Sequence, residues 1–200
     1  MTDANDSSRK AILVLLIIII AGASFYLGFY LAKGESKQST ECSLSSNSTP
    51  SFSSLQLITS PEGEAEDNII GLLQSANRSI EVEMYTFTNS KLANALISAK
   101  KRGINVQVLI GETGSEDEGT IITLLNAGGI EVKKAPSKFK IMHAKLMIVD
   151  DAIVLIGSHN WSQNAMFYNR ELSVVIQSPS LATQLLEIFN SDWAKSSKLP

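Results

Sequence analysis

Apolar residues are distributed along this chain in three regimes. From Ala11 to Ala32 (AILVLLIIIIAGASFYLGFYLA) no charge interrupts them. From Lys33 to Ser54 they nearly vanish, and half the positions are Ser or Thr. From Leu55 onward they recur with the periods of strands and helices.

The first regime predicts one transmembrane anchor. At about 1.5 Å per residue, a helix of this length crosses a hydrocarbon core of about 30 Å. The short tail 1–10 ends in Arg9-Lys10, and Lys33 follows the run. That slight basic bias favours a cytoplasmic N-terminus and an extracytoplasmic domain beyond a single pass. Phe25, Tyr26, Phe29 and Tyr30 gather where an interfacial aromatic belt would sit. A cleaved signal peptide is the competing reading, with Ala11 to Ile20 as its apolar region and Ala21-Gly22-Ala23 as the cleavage site. Residues 33–54 cannot bury enough surface to fold and read as a linker. As a flexible coil it reaches roughly 25 Å, which keeps the domain 55–200 near the bilayer.

Within that domain the period changes repeatedly. Leu55 to Ile58 is a short apolar run. Glu66 to Ala76 has helical spacing, with Ile69, Ile70, Leu72 and Leu73 on one face. Ser79 to Phe87 (SIEVEMYTF) alternates apolar and polar, as a half-buried strand does. Ser90 to Arg102 is helical and stops at Gly103. Asn105 to Ile110 is a strand, Gly119 to Ala127 a helix, and Ile130 to Lys133 a short strand. Lys145 to Val149, Ile153 to Ile156 and Leu172 to Ile176 add three strands, and Leu181 to Trp193 a closing amphipathic helix. The alternation predicts an α/β fold with a mixed, mostly parallel sheet flanked by helices. Ile153 to Ile156 is continuously apolar, the mark of a strand buried on both faces. The acidic run Glu112, Glu116, Asp117 and Glu118 reads as a solvated face.

Composition narrows the chemistry. A net charge of -3 gives no global basic field for nucleic acid, although a local patch can suffice. Two histidines and one cysteine, Cys42, are too few for a zinc site or a disulfide framework within the chain. The reactive residues instead concentrate in Ile141 to Asn160, IMHAKLMIVDDAIVLIGSHN. His143 and Lys145 are two apart on a strand and share a face. Asp150 has the opposite parity and caps the strand or its turn. Gly157 lets backbone approach closely, and Ser158 and Asn160 are again two apart. An imidazole, an ammonium, a hydroxyl and an amide at adjacent strand ends suit an anion with several oxygens, such as phosphate. His143 can act as base or nucleophile near neutral pH. Glu171, opening the next strand, can orient the imidazole as the third member of a triad does. Lys133, Lys134, Lys138 and Lys140 precede His143. They are candidates to bind nucleic-acid phosphates or anionic headgroups, with Lys140 taken as the substrate-binding member and a solvated loop as the plain alternative. Tyr85 and Phe87 end an early strand; packing in the core is the preferred reading, and lining the pocket is the alternative.

H-x-K-x4-D-x6-G-S-x-N, carried by His143, Lys145, Asp150, Gly157, Ser158 and Asn160, resembles the HKD motif of the phospholipase D superfamily. SPEGEAEDNIIGLLQSANRSIEVEMYTFTN before it and NRELSVVI after it are similar to the small single-motif bacterial endonucleases and the related mitochondrial phospholipase-like nucleases. The resemblance implies a catalytic set of His143, Lys145, Asn160, Glu171 and, by motif membership, Asp150, with Ser158 binding substrate. It implies attack by histidine on phosphorus, a phosphohistidine intermediate, and no metal or other cofactor. A chain with one motif is then expected to complete its site as a homodimer across a two-fold axis. His159 fills the variable position of G-S-x-N and is read as non-catalytic. The substrate expected first is DNA or RNA, the alternative is a phospholipid headgroup, and a catalytically silent dimeric binding module is the third reading.

Overall fold

The computed structural model describes residues 53–111 and 114–199. The anchor expected over 11–32, nearly all of the linker, Cys42 and Glu112 lie outside the described residues. No helix among the described residues is long and apolar enough to cross a membrane.

Eight strands form one sheet in the described part: β1 (Ser54–Ser60), β2 (Ser79–Met84), β3 (Asn105–Ile110), β4 (Glu131–Lys134), β5 (Lys145–Val149), β6 (Ile153–Gly157), β7 (Glu171–Gln177) and β8 (Ser197–Lys198). Their spatial order is β1-β7-β6-β5-β2-β3-β4-β8. Only β2–β3 and β3–β4 are parallel, and the other neighbouring pairs are antiparallel. The sheet is mixed, as expected, but not mostly parallel. A parallel connection needs a long crossover, and the second half of the chain lacks one between β5 and β6. Asp150 and Asp151 there adopt left-handed backbone (φ 55 and 56). The Ala152 N–H bonds the Val149 carbonyl at 3.1 Å, so β5 turns back at once into β6.

One face of the sheet carries the main core. Ile80, Val82 and Met84 of β2 and Val106, Val108 and Ile110 of β3 meet three helices: α1 (Ala65–Ser75), α2 (Ser90–Lys101) and α3 (Glu116–Ala127). Ile69, Leu73, Leu92, Leu96 and Leu125, all fully buried, close this layer, each side chain contributing about 1.5–3 kcal/mol. The side chains of Asn89 and Ser115 accept from the N–H of Leu92 and Glu118 and so start α2 and α3. The short α4 (Gln163–Phe167), which sequence periodicity does not reveal, lies between β6 and β7.

The other face is only half covered. Helix α5 (Pro179–Lys195) lays Leu181, Ala182, Leu185 and Leu186 over Leu146, Ile148 and Val154, and Phe189 over Leu109 and Met142. The polar positions of β2 therefore do not face water. Glu81 and Glu83 pair with Ile148 and Leu146 in the ladder, point to the same face, and are buried. Glu118, expected on a solvated face, is also buried and accepts the Phe87 N–H at 3.2 Å. Beyond the reach of α5, β6 emerges: Ile156 is exposed rather than buried on both faces. Leu55, Leu57 and Leu172 are exposed on β1 and β7.

Candidate active site

The antiparallel register brings the two ends of the stretch 141–160 together. β5 begins at Lys145, β6 ends at Gly157 and β7 begins at Glu171. All three termini fall at the same edge, because β6 pairs with both β5 and β7. There His143, Lys145, Gly157, Ser158, Asn160 and Glu171 line an open pocket of about 330 Å³.

Gly157 makes this approach possible. A Cβ at that position would sit 2.2 Å from Ser173 Oγ and 2.4 Å from the Leu172 carbonyl oxygen, so no side chain fits. Gly111 plays the same part behind the histidine, where a Cβ would meet the Met142 carbonyl at 2.8 Å and the Tyr85 ring at 2.9 Å.

His143 lies just ahead of β5 and is exposed to the pocket. Its ring packs on Tyr85, with centroids 4.5 Å apart and planes tilted by 53°. Lys145 is only 7% exposed. Its ammonium donates to the His143 carbonyl at 2.9 Å and stands 5.0 Å from the Tyr85 ring centroid. Burial lowers the Lys145 pKa, and the charge of Glu171 opposes that shift. Tyr85, assigned to the core by sequence, thus flanks both residues. The cue available was its place at the end of β2, next to β5.

Glu171 is engaged elsewhere than on the imidazole. One oxygen accepts the Ser158 hydroxyl at 2.5 Å, and the other accepts the Asn169 side-chain amide at 3.1 Å. Ser158 also takes the Leu172 N–H at 3.0 Å. Among the described residues the buried Asn160 Oδ1 has no partner; as an acceptor it calls for a donor, while the amide N–H2 is the part able to meet a phosphate oxygen.

Asp150 and Lys140 stand outside the pocket. Asp150 sits at the far end of β5, where its carboxylate accepts the backbone N–H of Asn77 (2.9 Å), Arg78 (2.6 Å) and Ser79 (3.0 Å). Burial works to raise its pKa, but these donors outweigh it and hold the carboxyl below its ordinary value. Its acceptor capacity is spent on tying the α1–β2 turn to the β5–β6 hairpin, so the structure places no catalytic role on it. Lys140 is exposed on the segment leading to His143 and does not line the pocket.

Comparison with known proteins agrees with this geometry. The family model described as "Cardiolipin synthase, PLD-like domain" matches residues 69–193. The mitochondrial cardiolipin hydrolase of Danio rerio is 30% identical over 124 residues, covering 62% of this chain and 55% of that protein. The human mitochondrial cardiolipin hydrolase is 29% identical over 134 residues, covering 66% of this chain and 53% of that one. The chain thus spans about half the length of these curated relatives. Nuc from Salmonella typhimurium, a phospholipase D family member of known structure, superposes with a TM-score of 0.70 at 34% identity, covering 73% of this chain and 97% of Nuc. Fold and site together define a mixed sheet with an open polar pocket at its strand ends. The chain belongs to the phospholipase D superfamily.

Proposed function

We propose that this protein is a membrane-anchored phosphodiesterase that works through a phosphohistidine and without a metal ion, with nucleic acid as its substrate. The observation that carries the reading is the convergence of His143, Lys145, Ser158, Asn160 and Glu171 on one open pocket. His143 attacks phosphorus, a P–N bond forms, and the P–O bond to the leaving group breaks. Lys145, Ser158 and Asn160 stabilise the non-bridging oxygens as charge grows on them. The departing oxygen takes a proton from a second histidine, and water then cleaves the P–N bond. The pocket holds one histidine, so the second comes from another copy of the chain. An apolar strip beside the pocket suits that copy: Leu55 (56% exposed), Leu57 (58%), Leu172 (53%) and Ile156 (39%) lie on the face that α5 leaves open. Nucleic acid is favoured by the resemblance of the motif and its flanks to the small single-motif bacterial endonucleases and by the exposed Lys140 on the approach to His143.

A second reading, hydrolysis of a phospholipid headgroup, is supported by the relatives named cardiolipin hydrolase and by the apolar run 11–32. A parallel panel decides: the full-length protein, in EDTA, is given plasmid DNA, RNA and cardiolipin or phosphatidylglycerol vesicles. Cleavage of nucleic acid is the expected result. Release of phosphatidate instead selects the lipid reading, and inactivity on all of them overturns both.

A further inference from the structure

His159 occupies the one variable position inside G-S-x-N, and nothing in the chemistry above uses it. It is nevertheless built into the site. The ring is 2% exposed. Its Nδ1 lies 2.7 Å from Ser173 Oγ, and its Nε2 is buried without a partner among the described residues. Ser173 is the first residue of β7 paired with β6, opposite Gly157. Its hydroxyl is tucked against Gly157 so closely that a Cβ there would lie 2.2 Å away.

These contacts form a clamp where the backbone ladder ends. Past Gly157 and Ser173, one backbone bond continues, Ser158 N–H to the Leu172 carbonyl at 2.9 Å. What remains is side-chain stitching: Ser158 to Glu171 and His159 to Ser173. The first rung consists of pocket residues, which substrate can disturb. The second lies directly beneath it, on the neighbouring residue of one strand and two residues along the other, and is out of solvent. With a single partner, the imidazole has one way to sit, and that fixes the backbone carrying both Ser158 and Asn160. A hydrogen bond in this dry setting is worth more than at a surface, and catalysis is sensitive to displacements of about 1 Å in such groups.

We infer that His159 is a positioning residue: through Ser173 it holds the turn bearing Ser158 and Asn160 against Glu171, in the geometry that stabilises the pentacoordinate phosphorus. The inference rests on the phosphodiesterase reading.

The test uses the full-length protein, bis(p-nitrophenyl) phosphate as probe, and the variants His159→Asn, His159→Phe, Ser173→Ala and His159→Phe/Ser173→Ala. Asparagine places a polar atom where Nδ1 stood; phenylalanine fills the space without the bond. His159→Phe and Ser173→Ala are expected to lower kcat about 10-fold with KM changed less than about 3-fold. The double variant falls no further than either single one, and His159→Asn recovers most of the loss. A purely space-filling role predicts instead that kcat per folded molecule stays at the wild-type value in all four, and that result overturns the inference. So does His159→Asn falling as far as His159→Phe. A second readout does not need turnover. The chain has two histidines, so His159→Asn assigns both imidazoles in long-range 1H–15N spectra. Ser173→Ala is expected to shift the His159 Nδ1 resonance and leave the fold intact; an unmoved resonance means the clamp does not exist. Wild-type inactivity toward the probe with a responsive His159 resonance counts against the phosphodiesterase reading and leaves the clamp standing.

Discussion

Asp150 accepts hydrogen bonds from three successive backbone amides while His143 and Lys145 stand at the opposite end of the same strand. The length of β5 separates them, and their opposite strand parity, legible in the sequence, points the same way. The identity of the Asp150 partners was not, because Asn77 to Ser79 lie some seventy residues earlier (for example, Ser79 N–H to Asp150). Asp150→Ala should therefore destabilise the protein by about 2–3 kcal/mol, the range for losing hydrogen bonds to a charged acceptor. In urea melts that loss is expected with kcat of the folded fraction close to wild type. His143→Ala is the converse case. Its exposed ring packs on Tyr85 beside the pocket, so the melt should hardly move, while turnover falls about 1,000-fold or more. Retained activity in His143→Ala would remove the nucleophile from the mechanism. Gly157 belongs to the same scale: its need for a missing Cβ came from Ser173 and the Leu172 carbonyl, which no local pattern announces.

Helix α5 decides more than its amphipathic pattern suggests. By covering β2 and β5 it turns the alternating polar positions Glu81 and Glu83 into buried carboxyls. Burial, with lesser help from Asp151 and Asp150 against the Ser79 hydroxyl, pushes Glu81 up to about 7. Burial and then Asp192 push Glu83 up to about 7 as well. An ordinary value of 4.5 in the unfolded chain means that the folded state holds these protons more tightly. Their contribution to stability is complete below pH 4.5 and is lost as pH rises through about 7. Glu83→Gln should thus raise Tm at pH 8 by an amount worth on the order of 1–3 kcal/mol and change little at pH 5. Calorimetry at the two pH values checks this, and equal shifts at both would contradict it. The same helix steadies the approach to His143. Asp192 pairs with Lys138 at 3.2 Å, Lys133 donates to the Trp193 carbonyl at 3.2 Å, and Phe189 packs on Met142. The lysines read from sequence as candidate phosphate binders are in part the fastenings of this segment.

Among the described residues, the sheet is covered on one face by α1, α2, α3 and the short α4, whose Met166 joins the same core, and on the other by a single helix placed over β5 and its neighbours. The uncovered strands β1, β7 and the end of β6 carry the exposed leucines and Ile156. Charge placed there should abolish the proposed dimer. Leu57→Glu and Leu172→Glu are expected to yield monomers by analytical ultracentrifugation, with activity lost in proportion and Tm lowered little. A fully active monomer would refute the shared site.

The sequence by itself determined most of the element order, the α/β class, and the residues able to hold a phosphate. Those properties rest on local periodicity and on fixed spacings within twenty residues. Only the tertiary structure decided the strand directions after β4, the burial of Glu81, Glu83 and Glu118, the packing of Tyr85 on His143, and the partnership of His159 with Ser173. Each of these depends on what packs against a strand from a distant part of the chain, and a side chain's own neighbours in sequence carry no record of that.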